Sequence, residues 1–390
     1  MGMRVLVTTP AGLGHVHPMV PLARALAAGG HQVLWAVPAD GVVHVERAGI
    51  PAVPTGAPGL TRPADVIRRY PELQGLAPAE VPDVLFGKMF GAVGAPAILA
   101  DLAPVAREWR PDLVLADAAE FAGHIVAAEL GVPSVTKGFG PLLPEPRVAA
   151  AGDEVAPLWK SRGLEPRPYG GCYDHLYIDI YPPELDGGAA PHVARRQLLR
   201  PVTDDGYPPT SSPPPFPDLP SGPSGVPRVY ATMGTVFNDP DAVRVLLAAL
   251  GELDVAVLVT VGHQIDPGGF GSPPPNVRIE RYVSQAAVLP HCAVVVSHAG
   301  SGTVLATISH GLPQLCLPQG ADQFLNANAI ASAGAGISLP PGQATADAVG
   351  GAVVRLLEDV SFTGAAGRVR RSIESMPAPE DIVAVLEAST

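Results

Sequence analysis

Residues 296 to 323, VSHAGSGTVLATISHGLPQLCLPQGADQ, set a histidine, two glycines, a serine and a threonine between an apolar run and a helical pattern. A strand that breaks at glycine and opens a helix gathers free backbone N–H groups and the positive end of a helix dipole at one point, and the absent side chains let an anion approach. His298, Gly300, Ser301, Gly302 and Thr303 are therefore read as a phosphate-holding turn, and the pair Asp322-Gln323 follows one strand later. A second constellation is His15 with Asp117: an imidazole is the best general base near neutral pH, and a carboxylate behind it fixes its tautomer and stabilises the imidazolium. Each has a plainer reading. His15 taken alone fits a capping or structural histidine, and Asp117 taken alone fits the N-cap of a helix through EFAGHIVAAEL.

These residues need elements to hold them. MRVLVTT, HQVLWAV, the stretch from Ile50 to Val53, DLVLAD and PSVTKG read as strands alternating with helices, one of them covering roughly residues 83 to 109. The second half restarts with RVYATMG and continues through DVAVLVTVG, NVRIERYV, AVVVSHAG and PQLCLPQ. Repeated βα units imply an α/β fold of two Rossmann-like, doubly wound halves. The segment 201–227 is so rich in proline, serine and glycine that an extended connector is expected there. The expected division is residues 1–200, the connector 201–227, a second domain 228–376 and a final helix 377–390. Ligands of open α/β sheets bind at the carboxyl ends of strands, which singles out the loop carrying His15, the end of a strand at Asp117, the turn at Gly234-Thr235, and the stretch 298–303.

Composition narrows the function. A chain of 390 residues exceeds one ordinary core, and its net charge of −12 argues against a nucleic-acid or anionic-membrane surface. No apolar run of bilayer length and no signal peptide is read from the sequence, so a soluble, cytoplasmic protein acting on small molecules is expected, with no membrane partner. Cys172, Cys292 and Cys316 lack paired spacing and are read as thiols, outside any disulfide or zinc site. GLGHVH has His17 where a dinucleotide fingerprint needs its third glycine. Asp239-Pro240-Asp241 spells the DxD of metal-dependent sugar transferases but fits a helix start. His17, His124 and His310 read as surface or core histidines. Phe86, Met89 and Phe90 lie at helical spacing and read first as core, second as the wall of an apolar binding pocket.

GxGHxxPxxxLAxAL at 12–26, PDLVLAD at 111–117, LYIDIYPPEL at 176–185, MGT at 233–235 and YVSQAAVLPHCAVVVSHAGSGT…GLPQLCLPQGADQ at 282–323 resemble the GT-B inverting glycosyltransferases of plant and bacterial secondary metabolism. Within that group the resemblance is to actinobacterial enzymes that put sugars on antibiotics. It implies two domains facing across a cleft, with His15 deprotonating an acceptor hydroxyl and Asp117 orienting His15. It further implies that His298, Gly300, Ser301, Gly302, Thr303 and Thr235 hold the donor diphosphate, so that no metal or other cofactor is needed. Asp322 and Gln323 would bind the sugar hydroxyls, Val283, Ser284 and Gln285 the base and ribose, and the helix after Pro377 would fold back on the first domain. The partners implied are a nucleotide-sugar donor and a hydrophobic acceptor, and a homodimer is plausible for such an enzyme. Tyr282-Val283-Ser284-Gln285 departs from the common Trp-Val-Pro-Gln. Ala306 stands where plant members with uridine donors carry a ribose-gripping glutamate, which favours a dTDP-sugar, and the retained His15 favours O-transfer. The alternatives are a GT-B-fold epimerase and a non-catalytic partner of another transferase.

Overall fold

The computed structural model describes residues 2–76, 80–186, 188, 190–203, 225–234, 240–262 and 265–390. Most of the proline-rich connector, together with Thr235 and Asp239, lies outside the described residues. The chain divides into two compact units. One comprises Met1–Tyr181, Gly188–Pro209 and Met376–Thr390; the other comprises Pro182–Gly187 and Thr210–Ser375. Residues 182–187, expected within the first domain, group with the second, because the short turn Pro183–Leu185 packs on the helices Gln323–Ser332 and Val360–Ser375.

In the first unit, strands β1 (Arg4–Thr8), β2 (Gln32–Val37), β3 (Ala52–Pro54), β4 (Leu113–Asp117), β5 (Ser134–Lys137), β6 (Leu176–Asp179) and β7 (Arg196–Leu198) form one parallel sheet in the order β3-β2-β1-β4-β5-β6-β7. In the second unit, β8 (Arg228–Thr232), β9 (Ala256–Thr260), β10 (Val277–Glu280), β11 (Val294–Ser297), β12 (Gln314–Cys316) and β13 (Gly336–Ser338) are ordered β10-β9-β8-β11-β12-β13. Central strands such as LVLAD and VVVS are buried at every residue, as parallel strands covered on both faces must be. Strand order reverses between β1 and β4 in one sheet and between β8 and β11 in the other, which opens a crevice at the carboxyl ends of each pair.

Among the described residues one helix, Val81–Trp109, is long and apolar enough to cross a membrane by length and composition, with mean hydropathy 1.6 over its most apolar window. The sequence expectation of no such run is corrected here. Of that window, 56% is buried inside the fold, where Gly87 and Gly91 lie close against the Glu145–Ser161 helix. Lys88 pairs with Glu154 of that helix at 2.5 Å. Residues Gly87–Gly94 wind as a π-helix, the wider winding that recurs near functional sites. At the other end of the chain, Pro379–Glu387 packs on the Leu13–Ala28 helix with Ile382 and Leu386 fully buried.

Candidate active site

The first unit builds its part of the site at the β1/β4 reversal. β1 runs out at Thr8, and the Leu13–Ala28 helix starts after Gly12, so His15 lies in that helix's first turn. Its Nδ1 is 3.0 Å from Oδ1 of Asp117, the last residue of β4. Asp117 is 1% exposed, and the same Oδ1 accepts the Ala119 amide at 2.8 Å. The plain reading of Asp117 as a helix cap does not hold. The helix begins at Ala122, and it is Glu120 that accepts the Ala122 and Gly123 amides, at 2.7 and 2.9 Å. Burial pushes the Glu120 carboxyl up, while the Thr8 hydroxyl and the two amides oppose that shift.

Aromatic rings fix the imidazole. Phe139 lies 4.4 Å from the His15 ring and Phe90 5.5 Å from it, edge-on. Phe90 also stacks on Phe86, which reaches Phe121, so Phe86 is core and Phe90 joins that core to the histidine. Met89 is partly buried against the same cluster. Phe139 escaped the sequence reading because only its spacing from Lys137 at the end of β5 ties it to the site. His124 is the buried core histidine expected: burial lowers it to about 3, and its Nδ1 sits 3.1 Å from the Ser134 hydroxyl. A cavity of about 440 Å³ beside it borders Pro133 and Ser134, at the amino end of β5, so it lies at the opposite end of the strand from Lys137.

The second unit builds its part at the β8/β11 reversal. After β11 the chain passes through Ala299, held at φ 63°, a left-handed backbone that a residue with a Cβ adopts at a cost. It then enters the Ser301–Ser309 helix from an extended Gly300. The His298 ring fills the space between two glycines: a Cβ on Gly234 or Gly300 would stand 2.5 Å from it. Burial lowers the His298 pKa, partly offset by the Asp322 charge, and its buried Nδ1 has no partner among the described residues. A Cβ on Gly302 would meet nothing, so the surface over that turn is open.

The polar residues there form one network. The Ser301 hydroxyl donates to Asp322, and Asn326 Nδ2 donates to Ala299 O at 2.9 Å, Ser301 Oγ at 3.0 Å and Asp322 Oδ2 at 3.0 Å. Asn326 was missed in the sequence; its place four residues after Asp322, on the same helical face, was the available signal. Gln323 is 2% exposed, and its Oε1 accepts the Gln319 and Gly320 amides at 2.7 and 3.1 Å, so half of its amide holds the loop that presents Asp322. Gln285 donates to Thr303 Oγ1 at 3.0 Å. Ser284 is buried at the start of the Gln285–Val288 helix, and Val283 packs inward with Tyr230 and Ala306. The structure therefore brings His298, Ser301, Thr303, Gln285 and Asp322 to one strand-end face and puts Val283 in the core beneath it. Thr235 lies outside the described residues.

The N- and C-terminal domain models described as "Erythromycin biosynthesis protein CIII-like" match residues 24–150 and 244–389. Elloramycin glycosyltransferase ElmGT of Streptomyces olivaceus is 33% identical over 99% of this chain and 97% of its own. TDP-daunosamine transferase DnrS of Streptomyces peucetius is 32% identical over 100% and 96%. Among solved structures, spinosyn rhamnosyltransferase SpnG complexed with thymidine diphosphate superposes with a TM-score of 0.81 at 28% identity, covering 99% of this chain and 100% of the other. The glycosyltransferase SnogD from Streptomyces nogalater gives 0.77 at 27% identity over 100% and 99%.

Proposed function

The chain belongs to the erythromycin biosynthesis protein CIII-like family and is a GT-B glycosyltransferase, and from this premise we propose that it moves a deoxysugar from a dTDP donor to a hydroxyl of a hydrophobic natural product, with inversion. The observation that carries the mechanism is the 3.0 Å contact between His15 Nδ1 and Asp117. Asp117 accepts a hydrogen bond from Nδ1–H, which fixes the tautomer and leaves Nε2, without a hydrogen bond among the described residues, as the proton acceptor. His15 Nε2 takes the acceptor proton as the oxygen attacks the anomeric carbon; the C–O bond to the diphosphate breaks, and the nucleotide leaves with the electron pair.

The amides that open the Ser301–Ser309 helix, with His298 and Thr303, hold that leaving diphosphate, and Thr235 assists. In this reading the fixed dipoles supply the stabilisation and no metal or cofactor enters. Asp322, oriented by Ser301 and Asn326, and the side-chain N–H of Gln323 bind the sugar hydroxyls. Gln285 and Ser284 flank the nucleoside, and Phe90 and Met89, with Phe139, wall the acceptor beside His15. The protein acts in the cytoplasm, with or without a second copy of itself.

Two measurements test this. His15→Ala should lower transfer by about a thousandfold, the scale of a general base, while dTDP binding by calorimetry stays close to wild type; equal loss of both would remove His15 as the base. Ala306 is 2% exposed in an apolar cluster and offers no carboxylate to grip a ribose diol. dTDP should therefore protect the protein against thermal unfolding at lower concentration than UDP, and the reverse order would remove the dTDP assignment.

A further inference from the structure

Between Asp117 and Asp179, on the strand that separates them, stands Lys137. It closes β5, its backbone is in register with Asp117 of β4, and its other neighbour β6 ends at Asp179. Its side chain is 1% exposed. Its Nζ donates one hydrogen bond, to Gly138 O at 2.9 Å, and the described residues give it no ion pair within 4 Å. Asp179 is satisfied elsewhere, by Arg196 at 2.6 Å and the Tyr181 amide at 2.7 Å. A buried ammonium is costly unless an opposite charge balances it. With Asp179 already paired to Arg196, the carboxylate that does most to balance Lys137 is Asp117, which also holds His15.

We propose that Lys137 is a positioning residue for the His15–Asp117 pair: its buried ammonium balances the Asp117 carboxylate and limits how tightly His15 holds a proton. The inference rests on the reading of His15 as the base. In water such a charge would be screened, but away from solvent a cation near an imidazole disfavours the imidazolium. A base that gave up its proton too reluctantly would stall turnover, and Lys137 counters the pull of Asp117 on the imidazolium. The charges that act on it are those of Asp117 on β4 and Asp179 on β6; Asp117 in turn faces His15, Glu120 and Tyr177, and Asp179 faces Arg196 and Tyr177. Burial lowers the Lys137 ammonium to about 8, while the Asp117 and Asp179 charges hold it up, so the cation is present at neutral pH and lost above about 8.

The test needs no substrate. The His15 ring is titrated by NMR in the full-length protein, its resonance assigned with His15→Asn, in the wild type, Lys137→Met, Lys137→Gln and Lys137→Arg. Loss of the cation should raise the His15 midpoint by about half to one pH unit in the Met and Gln variants, and Lys137→Arg should restore it. An unchanged midpoint in a folded Met or Gln variant overturns the proposal, and so does a midpoint shifted equally in Lys137→Arg. Should the neutral variants not fold, the wild type decides by itself, since the His15 resonance must then report a second step above neutral pH as Lys137 loses its proton; no second step up to the alkaline limit of the fold overturns the proposal. A shifted midpoint alongside full transfer by His15→Ala would leave the coupling standing and remove the base.

Discussion

At the residue scale, four histidines illustrate how environment assigns a role. His15 is the only one of them with a carboxylate on Nδ1, an exposed edge and two aromatic rings beside it. His298 is enclosed between Gly234 and Gly300. His310 turns its Nδ1 to the Ala306 carbonyl at 2.8 Å and terminates its helix. His124 is buried among Ser134 and Thr136 and is lowered from 6.5 to about 3 by desolvation. Its contribution to stability follows from the sign of that shift. The unfolded chain binds a proton that the folded chain refuses, so the contribution is complete above pH 6.5 and lost as pH falls toward about 3. His124→Asn should therefore lose less stability than the wild type between about pH 7 and about pH 4, read from urea unfolding at each pH. An equal loss would assign the acid sensitivity to other groups.

The two sites at the element scale are made the same way: a central parallel strand ends, a glycine opens the turn, and the next helix begins with its first amides unpaired. The geometry of the second turn depends on glycine for a steric reason rather than a conformational one. Gly300 has an ordinary extended backbone, φ −65°, yet a Cβ there would meet His298 Nε2 at 2.5 Å. Gly300→Ala should therefore displace the imidazole and weaken dTDP binding about tenfold, near 1.4 kcal/mol, with little change in the circular dichroism of the fold. Gly351→Ala on the Ala346–Glu358 helix, where the added carbon meets nothing and no phosphate contact is assigned, is the control. Binding that survived Gly300→Ala intact would separate the glycine from the nucleotide site. The long Val81–Trp109 helix makes the converse point, because its aliphatic and aromatic residues give it the hydropathy of a membrane span while Gly87 and Gly91 let it pack closely against the Glu145–Ser161 helix.

For the whole molecule, the chain starts and ends in the same unit. The amide of Arg200 donates to Pro377 O at 2.8 Å, His31 Nε2 lies 3.3 Å from Glu387, and Leu386 is fully buried near the last residues. Leu386→Ala should destabilise the first unit by about 2 to 4 kcal/mol, as other leucine truncations in cores do. On the proposed function, dTDP should raise the melting temperature of the second unit in this variant as in the wild type; loss of that rise in the variant alone would mean that the final helix supports the nucleotide site as well. The sequence by itself determined the two parallel α/β halves, since buried parallel strands and their covering helices impose opposite hydrophobic periods that can be read locally. It also singled out His15, Asp117, His298 and Asp322, because strand ends followed by glycine or a helix start are local signals. Only the tertiary structure decided what those residues touch. That Glu120 caps the helix in place of Asp117 and that Gln323 holds its own loop are decided by where the backbone turns; that Phe139 covers His15 and that Lys137 lies buried between the strands ending in Asp117 and Asp179 are consequences of strand order and register. Such contacts join residues far apart in the chain, and no local pattern encodes which distant strand becomes a neighbour.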